Sequence, residues 1–492
     1  MLLSMKLTDI SPAIALTPLD GRYHKQTAPL VEYMSEPALN RERMRVEVEW
    51  MILLASGFEG NGNQTIVPGV KPLTDDEQAY LRSIPENFGA EGIAQHAAYE
   101  AKTHHDVKAV EYYIDDQLEK AADVLGHDTQ LTGLKTLVHF ACTSEDINNL
   151  SIARCVKNGV EQVWLPAAQA IVDHLAQKAD AYRDKAMLSL THGQPATPTT
   201  LGKELAVYVY RLNRQLNKVK AQEYLGKING ATGTFGAHLA ACPDVDWVAV
   251  SREFVTNRMG LTWNPLTTQI ESHDWQAELY GTISHTNRIL HNLCVDVWMY
   301  ISRGVFAQVP VKGATGSSTM PHKVNPIRFE NAEANLEISC SLLDTLSATL
   351  VESRWQRDLT DSTTQRNIGS ALGYSLLALN NLMGGPSIRT MLPSRPSSIP
   401  IGRCSASRFR PPCAPASLPD CRVWISRTRR SRSSCAVTRS PRMTSNGSST
   451  SRLSTKPLRR VSRRWLRRHT PELPASWLTS TADNASPHSS CG

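Results

Sequence analysis

Long, regular seams of apolar residues between about residues 133 and 385 constrain the fold of this chain more than any other feature. In the segment 203–225, apolar residues recur in alternating steps of four and three, at Leu205, Val209, Leu212, Leu216 and Val219. Such steps place apolar side chains on one face of an α-helix, and a seam of this length is typical of bundle helices. The segment is therefore predicted to be one long amphipathic helix.

Two further segments repeat this spacing. Their apolar residues are Val160, Trp164, Ala167, Ile171 and Leu175 in one, and Leu336, Leu343, Leu346 and Leu350 in the other. No succession of alternating strand patterns appears, which argues against an α/β sheet. We predict an all-α fold with a smaller, mainly helical N-terminal domain (residues 1–132) and a central bundle of long helices (residues 133–385). The seams are expected to form core within and between subunits.

The composition changes after residue 385. Residues 386–492 hold 23 serines, 19 arginines and 13 prolines but only one lysine and three acidic residues, which gives this tail a net charge of +17. Such a composition favours disorder. However, the tail also contains three tryptophans and five cysteines, which disordered segments usually lack. A segment rich in arginine, serine and proline that also contains cysteine and tryptophan but almost no lysine is typical of a GC-rich coding sequence read out of frame. We interpret the tail as out of frame, with a natural basic tail as the alternative.

The net charge of +7 therefore says little about partners, because the first 385 residues carry −10. A basic-tailed protein that binds nucleic acid is the alternative, and only the tail supports it. No apolar run reaches the roughly 18 residues of a membrane helix. The N-terminus lacks a secretory pattern, and the cysteines before residue 386 are scattered, as in reduced cytosolic proteins. We expect a cytoplasmic protein with neither nucleic acid nor a membrane as partner.

The most informative segment for function is residues 313–336, which read GATGSSTMPHKVNPIRFENAEANL. Its glycines allow close approach of the backbone to a ligand, and His322 and Lys323 supply positive charge. Asn325 adds amide donors. This combination indicates a mobile loop that closes over a carboxylate-bearing substrate.

The same segment carries a resemblance to a known family. GSSTMPHKVNP resembles the signature loop of the fumarase/aspartase superfamily, and the form MPHKVNP is most similar to bacterial adenylosuccinate lyases. Further blocks in the family order extend the resemblance over about residues 10–384. They read TPLDGRY (17–23), HHDVKAVEYY (104–113), HFACTSEDINNL (139–150), LTHGQPATPTTLGKE (190–204), TTQIESHD (267–274) and SRWQRDLTDSTTQRN (353–367).

The resemblance implies elimination of fumarate from adenylosuccinate, leaving AMP, and from the succinyl-aminoimidazole-carboxamide ribotide of purine synthesis. It also implies a homotetramer on a central helical bundle, with each active site built from three subunits. A smaller helical C-terminal domain is expected near residue 385, where the tail stands instead. Within the superfamily, a lyase for another N-succinyl substrate is an alternative. A damaged reading frame whose product is inactive or unstable is another.

Three residues are expected to carry the chemistry. The resemblance makes His192 the general acid, which suits a side chain that changes charge near neutral pH. It makes Ser317 the general base, a role that the residue type alone would not suggest. His105 is expected to orient the substrate or the acid. No zinc motif or clustered carboxylate–histidine spacing appears, so we expect no metal, and the elimination needs no cofactor.

Further residues match family positions that contact the nucleotide or the succinyl carboxylates. They are Arg22, Tyr23, His104, Asp106, Thr143, Ser144, Gln269, Ser318, Lys323, Asn325, Asn331, Arg357, Ser362 and Arg366. The family usually has asparagine where His104 stands. Two alternative interpretations without a functional role remain open. In the first, Ser144 simply caps a helix and Asp146 or Asn148 is merely polar. In the second, the arginines form surface salt bridges.

Overall fold

The computed structural model describes residues 15–309, 324–384 and 388–392. These residues are mostly helical, which confirms the predicted all-α class. The α-helices are α1 (His24–Met34), α2 (Glu36–Ser56), α3 (Asp75–Glu86), α4 (Ala90–Thr103), α5 (Asp106–Leu125), α6 (Ser144–Gly159), α7 (Leu165–Ala181), α8 (Leu201–Lys220), α9 (Gly236–Ala241), α10 (Trp247–Glu253), α11 (Asp274–Ser302), α12 (Ile327–Leu350), α13 (Thr360–Gln365) and α14 (Ile368–Met383).

The long helices pack as a bundle. α11 packs along α12, α12 also packs against α14, and α7 packs along α8. At 1.5 Å per residue, the 29 residues of α11 extend for about 44 Å. The bundle therefore has the elongated helices that the apolar seams predict.

The three seams lie in the core as predicted, with two exceptions. Val209 and Ala167 are only partly buried, and the other seam residues are buried. The second seam also passes through a π-helical turn, Val160–Trp164, which directly precedes α7. There the indole of Trp164 donates to the hydroxyl of Ser375 at 2.8 Å, and Ser375 in turn donates to Asn287.

Helices α1 and α2 pack against α6, α3 packs against α2 and α5, and α4 packs against α5. α2 is buried over most of its length and packs against α5 and α6. Three charged side chains on α2 are also buried, namely Glu42, Arg43 and Glu47. Because isolated buried charges are costly, each must face a partner on a neighbouring element.

The strands form three short pairs in the described part of the chain. β1 (Ala186–Thr191) and β2 (Gln194–Thr200) are an antiparallel hairpin, and β3 (Leu225–Gly226) pairs in parallel with β4 (Thr262–Trp263). β5 (Phe306–Gln308) pairs antiparallel with β6 (Ile388–Thr390). The β1–β2 hairpin is the one that carries a predicted catalytic residue.

All the described residues belong to one compact unit. The predicted division into residues 1–132, 133–385 and 386–492 stays a prediction, and most of the tail lies outside the described residues. The five described cysteines are free thiols, as expected. Among the described helices, none is both long enough and apolar enough to cross a membrane.

Candidate active site

The candidate site centres on the start of α6, and we call residues 139–149 the α6 entrance. Thr143 caps the helix, and its backbone N–H donates to the carboxylate of Asp146 at 2.9 Å. Thr143 and Ser144 are both partly exposed, which leaves their hydroxyl groups within reach of a ligand. The N-terminal end of a helix favours anions, so this turn can receive a carboxylate.

Asp146 itself is fully buried and pairs with the fully buried Lys227, whose Nζ lies 2.8 Å from its Oδ1. The carboxylate also accepts from the backbone N–H groups of Asn229 at 3.0 Å and Gly230 at 3.1 Å. Asn149 completes this Asp146 cluster by exchanging hydrogen bonds with the backbone of Lys227. The reading of Asp146 as merely polar is therefore wrong, because it ties α6 to residues 227–230.

The residues before Thr143 adopt an unusual backbone. His139 and Ala141 have φ values of +58° and +57°, a region that non-glycine residues seldom occupy. The buried carboxylate of Glu47 holds this turn by accepting from the backbone N–H of His139 at 2.9 Å and lying 2.7 Å from its Nδ1. Burial alone would lower the pKa of His139, but the hydrogen bond to Glu47 and its charge raise it above the usual value.

The turn between α4 and α5 presents the predicted residues 104–106. His104 has φ +53° and ends α4, and this left-handed conformation explains the usual asparagine, since asparagine and histidine are both enriched there. His105 caps α5, because its Nδ1 accepts from the backbone N–H of Lys108 at 3.2 Å. Both imidazoles are exposed. His105 thus keeps its Nε2 free of this capping bond.

Asp106 is a junction between two arginines. Its Oδ2 lies 2.8 Å from Arg43 and 3.2 Å from Arg366. Burial raises the pKa of this carboxyl, but the charge of Arg43 and the hydrogen bonds outweigh burial and hold the pKa below its usual range. Asp106 is consequently a fixed anion that positions Arg366 and the start of α5.

Sequence reasoning missed Arg43, which is 3% exposed and also donates to Asn148 at 2.9 Å. A partial signal existed, since Asn40, Arg43 and Glu47 follow helical spacing on one face of α2. The sequence alone does not distinguish this buried stripe from the other charged residues of α2.

Arg357 faces two carboxylates. Its guanidinium lies 3.0 Å from Glu145 and 3.1 Å from Asp361, and Asp361 also lies 3.1 Å from Nε2 of the buried His273. The alternative interpretation of Arg357 as a surface salt-bridge residue does not fit this partly buried network. Two carboxylates occupy Arg357 here, so a phosphate would have to replace one of them.

Ser362 and Arg366 line a small, partly open cavity between α2, α6 and α13–α14. Arg366 is half exposed and also contacts Glu36 at 2.8 Å. The apolar part of the wall consists of Leu39, Ile152, Val156 and Ile368, among others. The cavity thus combines cationic, hydroxyl and apolar groups of the kinds that a nucleoside monophosphate requires.

His192 lies apart from this network. It occupies the tight turn between β1 and β2 with φ +55°, followed by Gly193 with φ +67°, and a two-residue turn of this type requires two positive φ values. The imidazole is exposed and has no hydrogen-bond partner among residues 15–309, 324–384 and 388–392. The hairpin therefore presents His192 outwards.

The remaining predicted residues are distributed over three places. Asn331 donates to the hydroxyl of Tyr23 at 3.2 Å, and the guanidinium of Arg22 lies 5.8 Å from the Tyr23 ring. Gln269 donates to the carbonyl of Ala231 at 2.9 Å, immediately beyond the Asp146 cluster. Asn325 is partly buried just before α12.

The predicted base Ser317, with Ser318 and Lys323, lies outside the described residues. The described part of the chain contains no group of histidine, cysteine, aspartate and glutamate residues that could hold a metal ion. The structure joins Asp106, the α6 entrance, Arg357 and Arg366 in one network of ion pairs and hydrogen bonds. These residues come from three of the sequence blocks that resemble the family.

Two family models match successive parts of the chain. The family model described as "Lyase" matches residues 21–338, and the model "Adenylosuccinate lyase C-terminal" matches residues 353–391. The second match ends within six residues of the change in composition at residue 386.

Several curated relatives are similar over most of their length. The chain is 45% identical to adenylosuccinate lyase of Escherichia coli (strain K12) over 379 residues, which covers 77% of this chain and 80% of the relative. It is 44% identical to the Haemophilus influenzae enzyme of the same name over 369 residues, covering 75% and 78%. The Vibrio cholerae enzyme of that name is 43% identical, with coverage of 77% and 80%.

Solved structures support the fold. A fumarate lyase from Mesorhizobium sp. BNC1 superposes with a TM-score of 0.56 at 17% identity, covering 73% of this chain and 75% of that one. The 3-carboxy-cis,cis-muconate lactonizing enzyme from Pseudomonas putida gives a TM-score of 0.55 at 18% identity, with the same coverage. On the family models and the sequence identities together, the chain belongs to the adenylosuccinate lyase family.

Proposed function

We propose that this protein cleaves adenylosuccinate to AMP and fumarate, and cleaves the succinyl-aminoimidazole-carboxamide ribotide to its carboxamide product and fumarate. The observation that carries the proposal is the network of Asp106, Arg357 and Arg366 around the α6 entrance, beside a cavity lined by Ser362 and Arg366. Membership of the family supplies the reaction type. The reaction is a β-elimination that needs no cofactor.

The elimination requires a base and an acid on opposite sides of the scissile bond. Ser317 takes the proton from the carbon beside a succinyl carboxylate, and the electron pair left on that carbon forms the double bond of fumarate. The carbon–nitrogen bond breaks, its electrons pass to the departing nitrogen, and protonated His192 donates a proton there. The exposure of His192 on its hairpin supports this role, because an unbonded imidazole is available to a substrate.

The carbanion places two negative charges on one carboxyl group, and preorganised donors must stabilise it. Thr143 and Ser144 offer hydroxyls and the N-terminal end of α6, and Lys323, Asn325 and Ser318 are the further proposed contacts to the succinyl carboxylates. Gln269 is the further donor near this end. The free Nε2 of His105 orients the substrate or the acid.

The nucleotide phosphate binds Ser362 and Arg366, with Arg22, Tyr23 and Asn331 as further contacts. A half-exposed arginine at a cavity rim can exchange Glu36 for a phosphate at little cost, since exposed pairs contribute little. Arg357 then stabilises the same region through Glu145 and Asp361.

We further propose that the protein acts in the cytoplasm as a homotetramer that binds neither nucleic acid nor membranes. His192 lies on an exposed hairpin without a partner among the described residues of its own chain, which supports a site completed by a neighbouring subunit. The long seams of α7, α8 and α12 supply helices suited to such an assembly.

Turnover tests the proposal directly. Purified full-length protein is mixed with adenylosuccinate, and its conversion to AMP is followed by the change in absorbance. Fumarate should be released in an amount equal to the AMP formed. No turnover by folded, purified protein would contradict the proposed activity. It would favour the alternative of a damaged, inactive product.

Substrate choice is tested at the phosphate. Arg366→Met should raise KM for adenylosuccinate by about 10- to 100-fold, because a charged hydrogen bond contributes about 1.5–3 kcal/mol. The control is Arg354→Met, in the same block but exposed and paired only with Asp358, and it should leave KM unchanged. Unaltered kinetics in Arg366→Met would favour another N-succinyl substrate.

Assembly is tested by mixing subunits. His192→Gln and Arg366→Met protein should each be nearly inactive at low substrate, and co-refolding the two should restore activity if these residues meet across subunits. Mixed protein no more active than its parents would contradict shared sites.

A further inference from the structure

The Asp146 cluster contains the one pair of oppositely charged side chains in the described residues that is fully buried on both sides. Asp146 and Lys227 both have no exposed side-chain surface. Desolvation of two charges is costly, and an apolar pair of similar size would fill the same space. Neither group can touch a substrate from this position. A role in packing alone therefore does not account for the choice of charged residues.

The bonds of the Asp146 carboxylate point to a different role. One oxygen accepts from the backbone N–H of Thr143 at 2.9 Å, while the other accepts from Lys227 at 2.8 Å and from Asn229 at 3.0 Å. An ionised carboxylate offers about four acceptor positions, and here two separate segments use them. The carboxylate thus sets the distance between the α6 entrance and residues 227–230.

The second segment leads directly to another predicted substrate contact. The side-chain amide of Asn229 donates to Thr267 Oγ1 at 2.8 Å, and Gln269 donates to the carbonyl of Ala231 at 2.9 Å. Thr143 lies at one end of this chain of hydrogen bonds and Gln269 at the other. The links between them are hydrogen bonds of defined length together with the short backbone segments 229–231 and 267–269.

We propose that the Asp146–Lys227 pair is a positioning unit that holds Thr143 and Gln269 at the separation the substrate requires. This inference rests on the proposed function, since it takes both residues as substrate contacts. The carboxylate of Asp146 accepts from Lys227 Nζ and still has acceptor positions for the backbone N–H groups of both segments. The neutral amide of an asparagine would offer one acceptor oxygen and would force one segment to move.

Asp146→Asn tests the proposal in the full-length protein. KM and the dissociation constant for adenylosuccinate should each rise by at least about tenfold, because a small displacement of binding groups has large kinetic effects. The matched control is Ser375→Ala, which removes a fully buried hydrogen-bonding group between the π-helical turn before α7, α11 and α14. Ser375→Ala should lower the melting temperature while KM and the dissociation constant stay at the wild-type values.

A second variant covers the case in which Asp146→Asn does not fold. Thr267 is only partly buried, so Thr267→Val should fold, yet it removes the acceptor for Asn229. It should raise the dissociation constant for adenylosuccinate by about threefold. This effect is smaller than that of Asp146→Asn because one hydrogen bond is lost, whereas the Asp146 carboxylate joins both segments. A wild-type dissociation constant in Thr267→Val, or in folded Asp146→Asn, would overturn the proposal.

The two proposals fail in different ways. Wild-type protein that binds adenylosuccinate without cleaving it contradicts the proposed activity, and the binding constants of the variants still decide the positioning role. Wild-type protein that cleaves the substrate, with unchanged constants in the variants, contradicts the positioning role alone. Protein that does not bind adenylosuccinate overturns both.

Discussion

The α6 entrance and the β1–β2 hairpin both carry residues of the candidate site, but their surroundings differ. At the α6 entrance, Asp146 is fully buried and accepts hydrogen bonds from two segments of the chain. On the hairpin, His192 is exposed, and its ring has no hydrogen-bond partner among the described residues. Both regions share one feature, a non-glycine residue with positive φ, at Ala141 and at His192.

The difference separates two tasks. Groups that bind a substrate carboxylate must be preorganised, because donors that reorient during the reaction lose their advantage. A general acid must instead give up a proton at the substrate, and permanent bonds to its own chain would compete with that step. The entrance is therefore expected to respond to mutation mainly through stability and binding, and the hairpin through turnover.

The largest expected effect is that of His192→Gln. Loss of a general acid lowers turnover by about 10²- to 10⁴-fold, while the melting temperature should stay within about 1 °C of wild type because no described contact is lost. Steady-state kinetics and a thermal melt on the same preparation measure both. A neighbouring change, Gln194→Ala, serves as the hairpin control and should retain near wild-type turnover. A clearly lower melting temperature in His192→Gln would place His192 in a structural role.

Arg43→Met is expected to have the largest effect on stability. It leaves Asp106 and Asn148 without their main donor, and removal of one member of a mostly buried pair costs about 3–5 kcal/mol, reduced here because Arg366 still faces Asp106. Urea unfolding should therefore show a loss of about 2–4 kcal/mol. The control Arg41→Met removes a pair with the exposed Glu32 and should cost less than about 0.5 kcal/mol. Equal losses in the two variants would contradict the assigned role of Arg43.

The comparison also shows what sequence can and cannot predict. Helical period and apolar content are local properties, so the seams of α7, α8 and α12 were predictable, whereas the π-helical turn at Val160–Trp164 was not. Residues of the candidate site came from the resemblance. Their partners did not, because Arg43 and Asp106 are 63 positions apart and only the tertiary fold brings them together.

Asp146 shows most clearly where prediction from the sequence alone ends. Its sequence context suggests an ordinary polar residue in the first turn of a helix, and the local part of that reading is correct, since it accepts from Thr143. Its second task depends on Lys227, 81 positions away. Pattern analysis of a single sequence has no means of finding a pair at that separation.

Glu47→Gln is expected to reduce stability more at low pH than at high pH. The pKa of His139 is raised in the folded protein by Glu47 against the effect of burial, so the stabilisation is fully present below the unfolded pKa of about 6.5 and is lost as the pH rises through the folded value. The difference in melting temperature between wild type and Glu47→Gln should therefore be larger at about pH 6 than at about pH 9. Glu49→Gln is the control, because its partners Arg82 and Arg258 do not titrate in this range. A difference that is constant with pH would show that Glu47 does not stabilise the protonated form of His139.

The smallest expected effect is that of Ala141→Gly. Glycine adopts φ +57° without the steric cost that alanine bears, which is about 1 kcal/mol, while the unfolded chain gains entropy that opposes this. The net change should be a stabilisation of about 0.5 kcal/mol, measured by urea unfolding. The affinity for adenylosuccinate should fall, because a more flexible backbone at residue 141 orients Thr143 less well. If the variant gains stability and keeps its affinity for adenylosuccinate, the strained turn is incidental, and the Asp146 cluster alone orients the α6 entrance.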